Sequence, residues 1–192
     1  MRASTYGTGQ IIKDALNKGI RKFVLGIGGS ATTDGGIGCT GALGGKFLNK
    51  DGEEVSLCGE GLSHIEAIDL SGLDERLKES DITVLCDVKN PLYGKNGAAY
   101  IFGPQKGADE KQVEILDSGL KNLAEISAVY LKKDMSQLEG TGAAGGLGFA
   151  LVAFLGGKLK GGIDHILDML SFDEKVKDAD LVITGEGKMD SQ

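Results

Sequence analysis

"KFVLGIGGSATTDGG" spans residues 22–36. Its first half is apolar and reads as a buried strand, Lys22–Gly28. Its second half is a glycine-rich loop whose one charge is Asp34. In open α/β sheets, ligands sit outside the carboxyl ends of the strands. A strand that runs straight into a soft loop bearing a carboxylate therefore predicts such a sheet, provided that other strands end in the same way.

Two other segments repeat the pattern. "ITVLCDV", Ile82–Val88, is a second buried-type strand. It leads into "KNPLYGKNG", which Pro91, Gly94 and Gly97 keep irregular and which follows Asp87 with Asn90. "LVIT", Leu181–Thr184, reads as a third strand and leads into "GEGKMDSQ", with Glu186, Lys188 and Asp190. Parallel strands would bring these acidic loops to one edge. Carboxylates, glycine amides and few basic groups suit Mg²⁺ and phosphate chemistry.

Helices are expected between the strands. Thr8–Lys18 has a candidate cap in Thr8, an apolar face of Ile11, Ile12, Ala15 and Leu16, and Gly19 as its stop. Asp109–Lys132 is the strongest helix, with Val113, Leu116, Leu120, Leu123 and Tyr130 recurring at helical spacing. Shorter helices are expected at Gly36–Leu43, at Ser71–Lys78 with Ser71 as cap, at Gly162–Met169 and at Phe172–Asp178. Lys46–Val55 reads as a hairpin turning at Asp51-Gly52, and Ile65–Leu70 as one more strand. The fold class is α/β, a mostly parallel or mixed sheet flanked by helices. No internal domain boundary is visible across residues 1–192.

Composition narrows the function. The chain has 192 residues, 41% hydrophobic and 26% charged, which supports a packed core rather than disorder. A net charge of -7 argues against a nucleic-acid surface. Three cysteines without a CxxC pair fit reduced thiols in the cytoplasm. The uncharged stretch Gly140–Gly157 is too rich in glycine for a membrane span and reads as a glycine loop followed by a short buried helix. His64 and His165 match no metal-ligand spacing. Glycine, at 32 residues, is well over twice its average share of roughly 7%, and it clusters in the loops. No GxxxxGK[ST] motif occurs. Gly26, Gly28 and Ala31 satisfy a GxGxxA pattern with Asp51 further on, so a nicotinamide-dependent oxidoreductase is an alternative. A non-catalytic sugar-acid-binding domain is another.

"STYGTGQ", "GIGGSATTDGG", "CDVKNPLYG", "FGPQKGA", "GTGAAGGLG" and "DADLVITGEGKMDSQ" together resemble the bacterial type I glycerate kinases, from Ser4 to Gln192. The resemblance implies a two-domain α/β fold that phosphorylates D-glycerate to phosphoglycerate with ATP and Mg²⁺. It also implies that residues 1–192 are the central portion of such a kinase, lacking the family's N- and C-terminal segments. The chain by itself is then expected to fold without phosphorylating glycerate, and to self-associate through surfaces left exposed. Asp190, Asp34 and Lys188 become the candidate catalytic residues. Ser4, Thr5, Thr8, Gly28, Gly29, Ser30, Thr32, Asp87 and Asn90 become the candidate substrate contacts, and Asp190 and Glu186 the candidate metal ligands.

Overall fold

The computed structural model describes residues 1–185. In chain order the elements are α1 (Tyr6–Asn17), β1 (Lys22–Gly26), α2 (Ile37–Ala42), β2 (Lys46–Leu48), β3 (Ala67–Asp69), β4 (Asp81–Leu85), α3 (Ala98–Phe102), α4 (Glu110–Leu131), α5 (Leu147–Ala153), β5 (Lys158–Lys160), α6 (Gly162–Met169) and α7 (Phe172–Val176). Short 3₁₀ turns lie at Gly59–His64, Glu75–Glu79, Pro104–Lys106 and Ala143–Gly146.

Strands β1, β4 and β5 form a parallel sheet in the order β1-β4-β5. Phe23 pairs with Ile82 and Leu25 with Val84, and Val84 pairs in turn with Leu159. Because side chains alternate along a strand, these residues share one face. Phe23, Ile82 and Val84 on that face are buried in the core, whereas Val24 on the other face is 46% exposed. Parallel sheets are normally covered on both faces; at Val24 this one is half open.

The second sheet is smaller. β2 pairs antiparallel with β3, and Leu48 bridges to Glu54 across the turn at Asp51-Gly52. The expected hairpin is therefore present. Phe154 ties this sheet to α5, lying edge-on to both Phe47 and Phe149 at centroid distances of 5.8 and 5.6 Å.

Helix α1 packs on α2. Gly9 permits the approach, since a methyl there would strike the Cys39 carbonyl and the Ala42 side chain. Helix α4 begins with a capping box: Asp109 accepts from Gln112 N at 2.8 Å, and the Gln112 side chain accepts from Asp109 N. Val113, Leu116, Leu120 and Leu123 are buried as the spacing predicts. Tyr130 is 44% exposed, with its hydroxyl accepting from Leu70 N.

Several expectations need correction. Thr8 does not cap α1; Thr5 holds the N-cap position, and its side chain is directed to Asp34 instead of its own helix. Ile11 is 74% exposed, because the buried stripe of α1 follows Ile12 and Leu16. Ser71 caps nothing; the short helix there is the 3₁₀ turn Glu75–Glu79, capped by Asp74. Leu181–Thr184 is not a strand, and Leu181 and Ile183 stand open to solvent. A strand exists only through its hydrogen-bonded partner, and an apolar tetrapeptide carries no signal of whether one is in reach. The third parallel strand is instead Lys158–Lys160, whose alternating charges gave no apolar run. Helix α6 matches its expected limits, and α7 ends two residues earlier than expected.

Candidate functional site

Since β1 and β4 are parallel neighbours, their carboxyl ends open on one edge. The chain leaves β1 through Ile27, whose N–H still reaches the Leu85 carbonyl at 3.4 Å, and then enters Gly28–Gly29–Ser30. It leaves β4 through Cys86, whose N–H donates to Lys160 at 2.9 Å. Between these exits lies a cavity of about 260 Å³. Gly28, Gly29 and Ser30 line one side, Cys86, Asp87 and Val88 another, and Lys106 a third. A second cavity of about 370 Å³ shares the Cys86–Val88 wall and is bordered by Lys89, Glu139 and Lys160. The Asp34 and Asp87 loops thus lie at the ends of paired strands, as the sequence suggests.

The loop after β1 is not soft. Residues 33–40 are buried. Asp34, fully buried, accepts at Oδ2 from Thr5 N at 2.7 Å and Thr5 Oγ1 at 2.8 Å, and at Oδ1 from Gly36 N at 3.1 Å. Thr5 Oγ1 accepts in turn from Cys39 N at 2.9 Å. Gly35 N donates to the Gly145 carbonyl at 3.0 Å. Gly145, at φ +66°, comes so close that a methyl there would land on the Thr32 carbonyl. Lys106 Nζ donates to that same carbonyl at 2.7 Å. The glycines permit close packing of backbone on backbone where the loop meets Gly145, while Gly28 and Gly29 further up the loop are exposed.

Burial pushes the Asp34 carboxyl above its ordinary value, against the pull of the Thr5 and Gly36 donors. Burial also lowers Lys106 to about 8, with the Asp34 charge acting in the opposite direction. Burial raises the Cys39 thiol to about 12 and lifts that of Cys86, so neither is poised as a nucleophile.

Of the expected substrate contacts, Gly28, Gly29, Ser30 and Asp87 line the cavity. Asp87 also accepts from Gly162 N at 2.6 Å, which ties the wall to the start of α6. Thr32 contributes only its carbonyl, to Lys106. Ser4, Thr5 and Thr8 sit at the start of α1, off the cavity wall; Ser4 Oγ donates to the Leu57 carbonyl. Asn90 is engaged locally, its Nδ2 donating to the Asn96 carbonyl at 2.8 Å. Asp34 is enclosed behind the loop and its oxygens are taken by Thr5 at the start of α1 and by Gly36 of the loop. Glu186, Lys188 and Asp190 lie outside the described residues. Among the described residues no group of three His, Cys, Asp or Glu comes together to hold a metal.

Lys106 was missed by the sequence reading. Its signal was available: a lysine in "FGPQKGA", between a proline turn and the cap of the longest helix. The GxGxxA pattern, in contrast, dissolves. No helix opens on it, since α2 starts at Ile37, and Asp51 lies in the exposed hairpin turn instead of at the end of a second parallel strand.

A parallel sheet with a cavity at its carboxyl edge defines the class as an α/β protein. The model of the glycerate kinase family matches residues 1–192, and the chain belongs to that family. It is 50% identical over 186 residues to glycerate 2-kinase of Escherichia coli K12, covering 97% of this chain and 49% of that protein. It is 49% identical to a glycerate kinase of Bacillus cereus, covering 98% of this chain and 50% of that one. A crystal structure of a candidate glycerate kinase 2 from Salmonella typhimurium LT2 superposes with a TM-score of 0.90 at 46% identity, covering 99% of this chain and 52% of that one. The chain thus spans about half the length of the relatives it matches.

Proposed function

We propose that these residues form the acceptor-binding part of a cytoplasmic, two-domain kinase that transfers phosphate from ATP to D-glycerate with Mg²⁺. The observation that carries the reading is the cavity where the ends of β1 and β4 bring Gly28, Gly29, Ser30, Asp87 and Lys106 together. Glycine amides and an ammonium suit a small anion, and the named relatives are glycerate kinases. Phosphoryl transfer asks mainly for positioning and charge neutralisation. In this reading Asp87 orients an acceptor hydroxyl. Asp34 and Thr5 act indirectly, by holding the loop.

Of the described carboxylates, Asp87 is the one on the cavity wall. One carboxylate can bind Mg²⁺ when waters and phosphates complete the shell. Glu186 and Asp190 are the further proposed ligands, and Lys188 the proposed phosphate partner. The metal would neutralise phosphate charge. Three free cysteines support the cytoplasmic assignment, and no described helix is long and apolar enough to cross a membrane. The exposed apolar residues of α6 and Leu181–Ile183 support self-association.

The test pairs calorimetric titration of the chain with D-glycerate and a coupled ADP-release assay with ATP and Mg²⁺. Saturable binding of D-glycerate is expected, with turnover below the roughly 1–100 s⁻¹ of typical kinases. The absence of both D-glycerate binding and glycerate-dependent ADP release would sink the reading. Binding with no turnover in any longer version containing these residues would favour a sugar-acid-binding domain.

A further inference from the structure

Lys106 is a half-buried cation with an incomplete set of partners. An ammonium has three donors. Among the described residues one of them is used, on the Thr32 carbonyl at 2.7 Å, and no ion pair within 4.0 Å is found. The carboxylate whose field reaches it, Asp34, is enclosed and already bonded to Thr5 and Gly36. Taking a charge out of water without a counter-charge is costly. Here the cation faces a cavity lined by Gly28, Gly29 and Ser30. An anion that enters from solvent would complete the set.

Size selects which anion. Drug-sized ligands occupy pockets of roughly 300–1,000 Å³. At about 260 Å³ this cavity falls below that range and suits a small acid better than a nucleotide. We infer that Lys106 is the specificity residue of this cavity, gripping the carboxylate of a small hydroxy acid. This rests on the D-glycerate reading for the identity of the acid. The Thr32 bond aims the ammonium, and the adjoining loop places its amides around the bound group.

The cation also sets a pH window. Lys106 lies at about 8. Among the described residues, the other titratable groups at the cavity are Asp34 behind the loop and Asp87 and Cys86 on the wall. Burial raises the Cys86 thiol, as does the Asp87 charge beside it. Carboxylate affinity should therefore fall as pH rises through about 8, with the loss of the Lys106 proton.

The experiment titrates the chain by calorimetry with D-glycerate, D-glyceramide, L-lactate and inorganic phosphate. It uses the wild type, Lys106→Gln and Lys106→Arg, each checked for folding by circular dichroism. The Gln side chain can still donate to Thr32, so the loop should persist. Lys106→Gln is expected to weaken D-glycerate by about ten- to a hundredfold, the range for hydrogen bonds to charged groups. It should leave the neutral amide within about twofold, since only the charge-dependent part is lost. Lys106→Arg should keep part of the affinity and lose the fall near pH 8, because guanidinium stays charged. If Lys106→Gln leaves D-glycerate affinity intact, the inference fails while the glycerate reading stands. If lactate binding depends on Lys106 but D-glycerate does not bind, the glycerate reading fails and the inference stands. If only phosphate binds, or no acid binds, the carboxylate role of Lys106 is overturned. A misfolded Lys106→Gln leaves the decision to Lys106→Arg, where a fall near pH 8 that persists would also overturn it.

Discussion

Asp34 and Thr5 are joined twice: one carboxylate oxygen accepts both the backbone N–H of Thr5, at 2.7 Å, and its hydroxyl, at 2.8 Å. The 29-residue separation makes this a tertiary lock between the start of α1 and the loop that follows β1. It anchors the buried end of a glycine-rich segment whose other end borders the cavity.

Breaking the lock should destabilise the fold. Asp34→Ala leaves the Thr5 and Gly36 donors unpaired and is expected to cost about 2–4 kcal/mol, at about 1–3 for each orphaned buried group with partial relaxation. The sign with pH follows from burial. The Asp34 carboxyl is raised in the folded state, so its stabilising contribution is present in acid and is lost as pH rises through its folded value. In urea denaturation, the gap between wild type and Asp34→Ala should be wider at pH 4 than at pH 7.5. A gap below about 0.5 kcal/mol, the size of an ordinary surface change, would show that the lock does not hold the loop.

Two glycines with similar φ should respond differently to alanine. Gly145 (φ +66°) has the Thr32 carbonyl where a methyl would go, whereas Gly156 (φ +71°) has open space. Gly156→Ala should cost about 1–2 kcal/mol of left-handed backbone strain. Gly145→Ala adds a steric clash and should cost clearly more, or displace the loop and weaken D-glycerate binding. Equal melting temperatures for the two variants would contradict the close approach.

Lys106 should leave a stability signature without any ligand. Its folded value, about 8, lies below the ordinary lysine value of 10.5. A depressed value contributes stability that is present at high pH and is lost as pH falls through about 8. Wild type should therefore gain on Lys106→Met between pH 7.5 and pH 9.5 in parallel denaturation curves. A constant difference over that window would mean that the lysine is solvated like a surface residue.

The exposed side of α6 should drive association. Ile163 is 61% exposed and Met169 62%, beside Leu181 at 76% and Ile183 at 87%. Light scattering after size exclusion should show mass rising with concentration, and Ile163→Lys with Met169→Lys should suppress the rise. A monomer at all concentrations for the wild-type chain would remove the self-association proposal.

Local chemistry made much of the architecture readable. Spacing of three and four residues in α4 and an Asp-Gly turn each act within a few residues, so sequence alone placed α4 and the hairpin. The apolar runs of β1 and β4 marked them as buried strands, and their ends correctly pointed to Gly28, Gly29, Ser30 and Asp87 as neighbours. Distant partners were not legible. Sequence assigned LVIT to the sheet and passed over Lys158–Lys160, because strand pairing depends on which edge is open in three dimensions.

The same division runs through the site. Sequence by itself determined the family, the α/β class, the glycine loops and the residue types available for binding a small anion. Only the tertiary structure decided that Asp34 turns inward to Thr5 while Lys106, 72 positions along the chain from it, supplies the cation at the rim. Whether a carboxylate braces a loop or faces a ligand depends on burial and on which donors surround it. Those are set by packing between segments far apart in the chain, and no local pattern encodes them.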